Sequence, residues 1–71
     1  MMNNLCKCYK GDKLVQTYSN IVSVKPDKKY PYFIFHQRIF HHDILFTKRF
    51  IEMDKIVYTY KGERKEVTIN D

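Results

Sequence analysis

Residues 56–69 read IVYTYKGERKEVTI, and the alternation of apolar and polar side chains along them decides the fold class. Glycine tolerates the positive φ at the first central position of a type II′ turn, so a hairpin tip is predicted at Gly62-Glu63. In this register Tyr58 faces Val67, and the two faces separate cleanly, as expected for a half-buried antiparallel pair. The predicted core face collects Ile56, Tyr58, Tyr60, Val67 and Ile69.

The same turn motif occurs near the start of the chain. Residues 9–13 match residues 60–64 in their order of tyrosine, lysine, glycine, acid and base. We interpret this similarity as one kind of hairpin turn used twice. The first hairpin is predicted to have Gly11-Asp12 as its tip, with Leu5 facing Tyr18.

The middle of the chain allows two interpretations. Residues 32–35 are aromatic or β-branched, which predicts a strand buried on both faces. Beyond them, residues 33–40 and 44–51 are predicted to pair as strands around a turn at 41–43. The alternative is a short helix near residues 43–53 that begins at Asp43 as its N-cap. The low helix propensity of this segment and the absence of alanine favour strands.

The chain is predicted to be a single domain, residues 1–71, with a mainly β fold. We expect a small antiparallel sheet or barrel of about five strands. Nothing resembles a linker, and a further turn is predicted at Pro26-Asp27 because proline presets the first turn angle. A chain of 71 residues buries a thin core, and its six tyrosines and five phenylalanines supply large apolar area.

Charge and composition bear on location and partners. The formal net charge is +5, but each basic group lies near an acid, which is typical of a solvated surface. The sequence begins without a signal-peptide pattern, and its longest apolar run, residues 32–35, is too short to cross a bilayer. We therefore expect a cytoplasmic protein with no membrane partner. The composition favours AT-rich codons, which is compatible with a phage, a virus or a low-GC bacterium as the source.

Two groups of residues resemble chemical sites. One residue separates Cys6 from Cys8, whereas zinc sites usually place about two to four residues between cysteines. Residues 41–43, His-His-Asp, are interpreted as a polar turn, since no glycine-rich loop builds a pocket with a nucleophile. We therefore expect no metal, no cofactor and no enzymatic activity. If a metal were bound, the first candidate ligands would be Cys6, Cys8, His36, His41 and His42.

Docking on another protein is the favoured function. In this interpretation the chain is a small non-enzymatic module, such as a phage or viral inhibitor or adaptor, that binds an acidic surface. Its basic hairpin tips each carry a tyrosine, and tyrosine and arginine are enriched in interface hot spots. The predicted partner-binding residues are Tyr9, Lys10, Lys13, Tyr60, Lys61, Arg64 and Lys65. A homo-oligomer is compatible with the same features.

Binding of single-stranded DNA or RNA is the alternative. Aromatic side chains on a β-face stack against bases, and neighbouring cations contact the phosphates. The predicted nucleic-acid-binding residues are Lys28, Lys29, Tyr30, Tyr32 and Arg38. The acids between the basic groups weaken this alternative, because nucleic-acid sites concentrate unopposed positive charge.

Overall fold

A computed structural model describes residues 5–69, and every regular element within them is a β-strand. The strands are β1 (Leu5–Lys10), β2 (Lys13–Ser19), β3 (Ile21–Pro26), β4 (Tyr32–Ile39), β5 (His42–Arg49), β6 (Lys55–Tyr60) and β7 (Glu63–Thr68). They form a four-stranded sheet in the order β2-β1-β6-β7 and a three-stranded sheet in the order β3-β4-β5. All pairs are antiparallel. The predicted mainly β fold is confirmed, with seven strands in place of about five.

The core lies between the inner faces of the two sheets. Phe33 and Phe35 from β4 are fully buried, as is Ile56 from β6. The ring of Phe35 stacks on that of Phe46, with centroids 4.9 Å apart, and meets the edge of Tyr18 at 5.4 Å. Aromatic rings therefore supply much of the contact between the sheets, which suits a chain with a small core. The buried residues are Cys6, Cys8, Ile21, Val24, Phe33, Phe35, Met53, Ile56, Tyr58 and Val67.

The middle segment forms the β4–β5 hairpin, so two paired strands are confirmed in place of the alternative helix near residues 43–53, although both strands begin and end earlier than predicted. Eight residue pairs join β4 to β5 without a bulge. Phe40 and His41 form the turn, with φ angles of 49° and 70°, so the tip lies before the predicted turn at 41–43. An extended chain places Phe46 beside Phe35 in the core, and this packing stabilises the strand.

The β6–β7 hairpin forms where predicted but with a different tip. The turn residues are Lys61 and Gly62, both with positive φ, which is the pattern of a type I′ turn. Val67 consequently pairs with Ile56, two residues away from the predicted partner. Moving the tip by one residue shifts the pairing by two and leaves the faces unchanged. Ile56, Tyr58 and Val67 are buried as predicted, whereas Ile69 lies beyond β7 and is 37% exposed.

The β1–β2 hairpin has its predicted tip but an irregular ladder. Lys10 pairs with Lys13 around Gly11-Asp12, and within this turn only Gly11 has a positive φ, as a type II′ turn requires. A bulge between Cys8 and Tyr9 then shifts the register. Tyr18 therefore pairs with Cys6, and the predicted pairing of Tyr18 with Leu5 is wrong. The bulge turns the Tyr18 ring into the core.

The turn predicted at Pro26-Asp27 is present. The Asp27 carboxylate accepts hydrogen bonds from the backbone N–H groups of Lys29 at 2.7 Å and Tyr30 at 3.3 Å. Such a side-chain bond holds the chain in a turn without a regular ladder. The backbone N–H of Asp27 donates to the carbonyl of Tyr32, which connects the loop to the start of β4.

Strand directions place the turns at two opposite ends of the molecule. The backbone N–H of Arg38 donates to the backbone carbonyl of Asn20 at 3.0 Å, which joins the end of β4 to the β2–β3 corner. Gly11 donates its N–H to the Asp54 carboxylate at 3.1 Å from the nearer oxygen, which joins the opposite set of loops. The Phe40 end carries the turns at 40–41 and 61–62 and the corner at 19–20. The Gly11 end carries the turn at 11–12 and the loops at 27–31 and 50–54.

Candidate functional site

Phe40 is the most exposed large apolar side chain among the described residues, at 87%. It occupies the first position of the β4–β5 turn with a left-handed φ of 49°. This conformation is unfavourable for a residue with a bulky side chain, and asparagine or glycine adopts it at lower cost. An exposed ring in a strained position contributes little to folding, and such positions concentrate at functional sites.

The half-buried Tyr60 and the exposed Lys61 lie at the same end of the molecule as Phe40. Both lie at the β6–β7 tip, and the Lys61 ammonium is 5.4 Å from the centre of the Tyr60 ring. Tyr60 also lies close enough to Arg38 to contribute, after Asp43, to raising the pKa of that guanidinium. The Phe40 end therefore carries two aromatic rings and two cations.

A polar cluster on the outer face of the three-stranded sheet holds Arg38 in place. The Asp43 carboxylate accepts hydrogen bonds from Arg38 Nε at 2.8 Å and His36 Nε2 at 2.9 Å. These two contacts, with Arg38 the stronger, lower the pKa of Asp43. The sequence predicted that Asp43 belongs to a polar turn with the two adjacent histidines. In the structure Asp43 lies in β5, and its carboxylate bonds to His36 and Arg38 of β4. The cluster orients a guanidinium at the Phe40 end and lacks a nucleophile.

Exposed apolar side chains extend from Phe40 along β5. Leu45 is 71% exposed and pairs with His36, so its side chain lies on the outer face of the three-stranded sheet. Ile44 is 41% exposed and lies on the opposite face. At the Gly11 end, Ile51 is 70% exposed. The β4–β5 hairpin thus carries most of the strongly exposed apolar area.

The structure separates the two predicted partner-binding tips. Tyr9 pairs with Lys55, and Tyr60 lies five residues further along β6, so roughly 17 Å of strand separates the tips. Tyr60 and Lys61 lie at the Phe40 end, whereas Tyr9, Lys10 and Lys13 lie at the Gly11 end. The two tips therefore cannot form one continuous site.

The charges of the β6–β7 tip are partly neutralised. Lys65 forms an ion pair with Glu63 at 3.0 Å, and Arg64 forms one with Glu66 at 3.4 Å. No carboxylate among residues 5–69 pairs with Lys61, whose ammonium faces the Tyr60 ring instead. Lys61 is therefore the cation of this tip that is most available to an acidic partner.

Most of the predicted nucleic-acid-binding residues lie together. Tyr30 stacks on Tyr32 with centroids 5.8 Å apart and an interplanar angle of 14°, and the Lys29 ammonium is 5.5 Å from the Tyr30 ring centre. Lys28 lies in the same loop and is exposed. Arg38 lies six residues from Tyr32 near the other end of β4, roughly 20 Å away. The rings partly cover one another, which leaves less area for bases.

Two shallow clefts occur within the described part of the chain. One has a volume of about 160 Å³, lies between the sheets on the β2 and β5 side, and contains the Tyr18 hydroxyl. That hydroxyl is buried without a well-formed hydrogen bond, and burial raises its pKa although the nearby Lys48 opposes the shift. The other, about 250 Å³, lies on the outer face of the four-stranded sheet. Both are smaller than the ~300–1,000 Å³ of typical ligand pockets.

Both cysteines are free thiols in the core. Cys6 and Cys8 point to the same face of β1 and are fully buried. A hydrogen bond with Cys8 and burial raise the pKa of the Cys6 thiol, which makes it an inert, apolar side chain rather than a nucleophile. Within residues 5–69, no three histidine, cysteine or acidic side chains lie together in a way that could hold a metal ion.

The predicted site residues do not include Phe40 or Leu45. Phe33 and Phe35 lie on the core face of β4, whereas Phe40 follows the last residue of β4 and lies in the turn. Leu45 pairs with the outward-facing His36, while its neighbour Phe46 pairs with Phe35 in the core. The outward position of Leu45 therefore follows from the alternation of side chains along β5 once the register of the hairpin is known.

Comparison with known protein families, curated proteins and solved structures finds no match. In residues 5–69 there is no helix with the length and apolar character needed to cross a bilayer. The fold class therefore rests on the strands and sheets themselves, and a function has to be inferred from the surface.

Proposed function

We propose that this chain is a non-enzymatic binding module that docks on another protein through its Phe40 end. The observation that carries the proposal is the 87% exposure of Phe40 in a left-handed turn position. A ring in this environment weakens the free protein, and burial against a partner would recover its apolar area. Aromatic anchors of this kind often dominate the binding energy of an interface.

An acidic partner surface suits this end of the molecule. Lys61 and the oriented guanidinium of Arg38 flank the two rings, and the whole chain carries a net charge of +5. Complementary charge steers association and raises the on-rate. A role as an inhibitor or adaptor, of the type found among small phage and viral proteins, fits a module that acts by docking alone.

Replacement of Phe40 by asparagine tests the proposed anchor. We expect Phe40→Asn to remain folded and to lose binding by at least about tenfold, since hot-spot truncation costs about 2 kcal/mol or more. Immobilised wild-type and variant proteins are compared for capture from a nuclease-treated cell lysate, and the captured protein is then titrated.

Ile51→Asn is the matched control, because it removes a similarly exposed side chain at the Gly11 end. Binding by this variant should equal that of the wild type. A partner that binds Phe40→Asn as tightly as it binds the wild type would contradict the proposed surface.

Charge reversal at the two tips separates their roles. Replacement of Lys61, Arg64 and Lys65 by glutamate should lower the on-rate for an acidic partner, and rising salt should reduce the difference from the wild type. Replacement of Lys10 and Lys13 by glutamate at the other end should have a much smaller effect. Losses from the two variants that are similar per reversed charge would indicate steering by net charge rather than by the Phe40 end.

Binding of single-stranded nucleic acid is the second candidate. Four of the five residues predicted for it, Lys28, Lys29, Tyr30 and Tyr32, lie together at the Gly11 end. Retention on an oligonucleotide column that falls steeply with salt, and falls again in Tyr30→Ala, would favour this function. The Phe40→Asn variant should leave such retention unchanged.

A further inference from the structure

Strand β5 is an open edge of the three-stranded sheet. It pairs with β4 through eight residues without a bulge, and no strand among residues 5–69 pairs with its other side. Most of its residues are exposed. A long, regular edge of this kind is a template for pairing with another strand.

The outward backbone groups of β5 can be identified from neighbouring hydrogen bonds. The backbone N–H of Arg49 points away from β4 and donates to the Glu52 carboxylate at 3.0 Å. Because backbone groups alternate in direction along an antiparallel strand, every second residue before Arg49 also points outward. These residues are Asp43, Leu45 and Thr47. The Glu52 carboxylate caps the edge at Arg49.

The other three edges are less suited to pairing. Strand β3 has a register irregularity, ends at Pro26 and packs near β6 and β7. The bulge in the β1–β2 ladder interrupts the regularity of β2. Strand β7 begins with four charged residues, 63–66. Bulges, prolines and charges are the features that protect sheet edges from association, and β5 lacks them at its centre.

We propose that β5 pairs antiparallel with β5 of a second copy of this chain, with Leu45 opposite Leu45 of the second copy across a two-fold axis. In this register Ile44 faces Phe46 of the second copy, and Asp43 faces Thr47 of the second copy. The outward residues then form roughly six backbone hydrogen bonds. The two three-stranded sheets become one continuous sheet of six strands.

The β5 edge is complementary to itself, so a second copy of this chain is the partner that fits it. The centre of the strand matches apolar side chains with apolar ones, and Leu45, 71% exposed in the free chain, is covered by its symmetry mate. Asp43 uses only one carboxylate oxygen within its own chain, so the other can accept a hydrogen bond from the threonine hydroxyl. A register shifted by two in one direction would place Ile44 against Lys48 of the second copy, and in the other direction it would place Leu45 against Asp43 of the second copy.

Such a dimer would present two Phe40 ends. Phe40 lies five residues from the two-fold axis at Leu45, so the two turns would lie roughly 33 Å apart along the strand direction. A partner with repeated sites at that spacing would gain from bivalent contact. The pairing itself does not depend on the docking function.

Opposite charges at position 45 test the two-fold register. Wild-type protein, Leu45→Lys and Leu45→Glu are compared by sedimentation velocity from about 1 μM to about 1 mM. We expect a wild-type dimer whose Kd rises at least about tenfold in each single variant, because like charges directly opposite repel. An equimolar mixture of Leu45→Lys and Leu45→Glu should form a heterodimer, since the substituted side chains then attract.

Circular dichroism spectra and melting temperatures verify that both variants keep the fold. A wild-type protein that stays monomeric throughout the concentration range would overturn the proposal. A dimer that both single variants retain would also overturn it, because the contact would then lie elsewhere. Failure of the mixture to associate would exclude the register with Leu45 at the axis.

Discussion

Phe40 and His41 have φ angles of 49° and 70°, so two residues with large side chains occupy left-handed positions in one turn. Each costs conformational energy that an asparagine or glycine would avoid. The ring of Phe40 recovers none of this energy in the core, because it is almost wholly exposed. If Phe40 serves the proposed docking function, stability and binding should respond to its replacement in opposite directions.

Phe40→Asn is expected to raise the free energy of unfolding by about 1 kcal/mol, because asparagine adopts the left-handed conformation more readily. For a domain of this size the melting temperature should rise by about 4–8 °C. Phe40→Ala is the control, since it removes the ring but keeps a Cβ in the strained position. Thermal denaturation that shows equal stability for the two variants would contradict the strain argument.

Asp43 should contribute to the acid dependence of stability. Arg38 and His36 lower its pKa in the folded state below the usual value. A group of this kind stabilises the folded state above its unfolded pKa of about 3.9, and the contribution disappears as pH falls through the folded pKa. The difference in stability between wild type and Asp43→Asn should therefore shrink from about pH 5 to about pH 2. A difference that denaturant titrations find constant over this range would refute the assignment.

The two hairpins that share the Tyr-Lys-Gly motif use it differently. In the β1–β2 hairpin Lys10 ends the strand and Gly11-Asp12 forms the turn, whereas in the β6–β7 hairpin Lys61 enters the turn with Gly62. A bulge follows the first turn, and a regular ladder follows the second. The same five-residue pattern is therefore compatible with two turn types, and the pairing of the whole hairpin selects one.

Lys10 and Lys61 hold the same place in the repeated motif. Replacement of each by asparagine distinguishes the turn type of the β1–β2 hairpin from that of the β6–β7 hairpin. Lys61→Asn should be more stable than Lys61→Gln by about 1 kcal/mol, since only asparagine relieves the left-handed position while both lose the cation. Lys10→Asn should show no such gain over Lys10→Gln, because Lys10 belongs to a strand. Chemical denaturation of the four variants measures both differences. A gain from Lys10→Asn equal to that from Lys61→Asn would argue against the observed register.

At the scale of the whole molecule, ten buried residues within the described range 5–69 lie in the core between the two sheets. Strand β7 contributes only Val67 to this core, and β2 contributes the partly buried Tyr18. A core this small leaves little reserve against the loss of a single contact. Continuation of the sheet into a second copy would add buried area where the isolated chain has an open edge.

Val67→Asp is expected to unfold the domain. A buried carboxylate without a partner costs several kcal/mol, which is comparable to the whole stability of a small domain. Val57→Asp is the matched control, because Val57 lies on the outer face of the same sheet, where a carboxylate can reach water. Circular dichroism at 25 °C should show a folded control and an unfolded Val67→Asp. A folded Val67→Asp would contradict the assigned core face.

Side-chain alternation by itself determined the fold class, the hairpins and the core face of β6 and β7. Its period of two explains both this success and its limit, because a register shift of two residues leaves every side chain on its original face. Alternation therefore predicted that Ile56, Tyr58 and Val67 are buried but could not decide whether Val67 pairs with Tyr58 or Ile56. The choice of strands over a helix for residues 44–49 followed from propensity, and packing against Phe35 confirmed it.

Only the tertiary structure decided where the tips lie relative to one another and which aromatic rings are exposed. The bulge after Cys8 shifts the register so that Tyr18 pairs with Cys6 and packs against the core, while Leu5 is exposed. The separation of the basic tips depends on the antiparallel pairing of β1 with β6, two strands distant in sequence. The exposure of Phe40 depends on a turn position that local propensity disfavours, because the long ladder between β4 and β5 outweighs the preference of one residue.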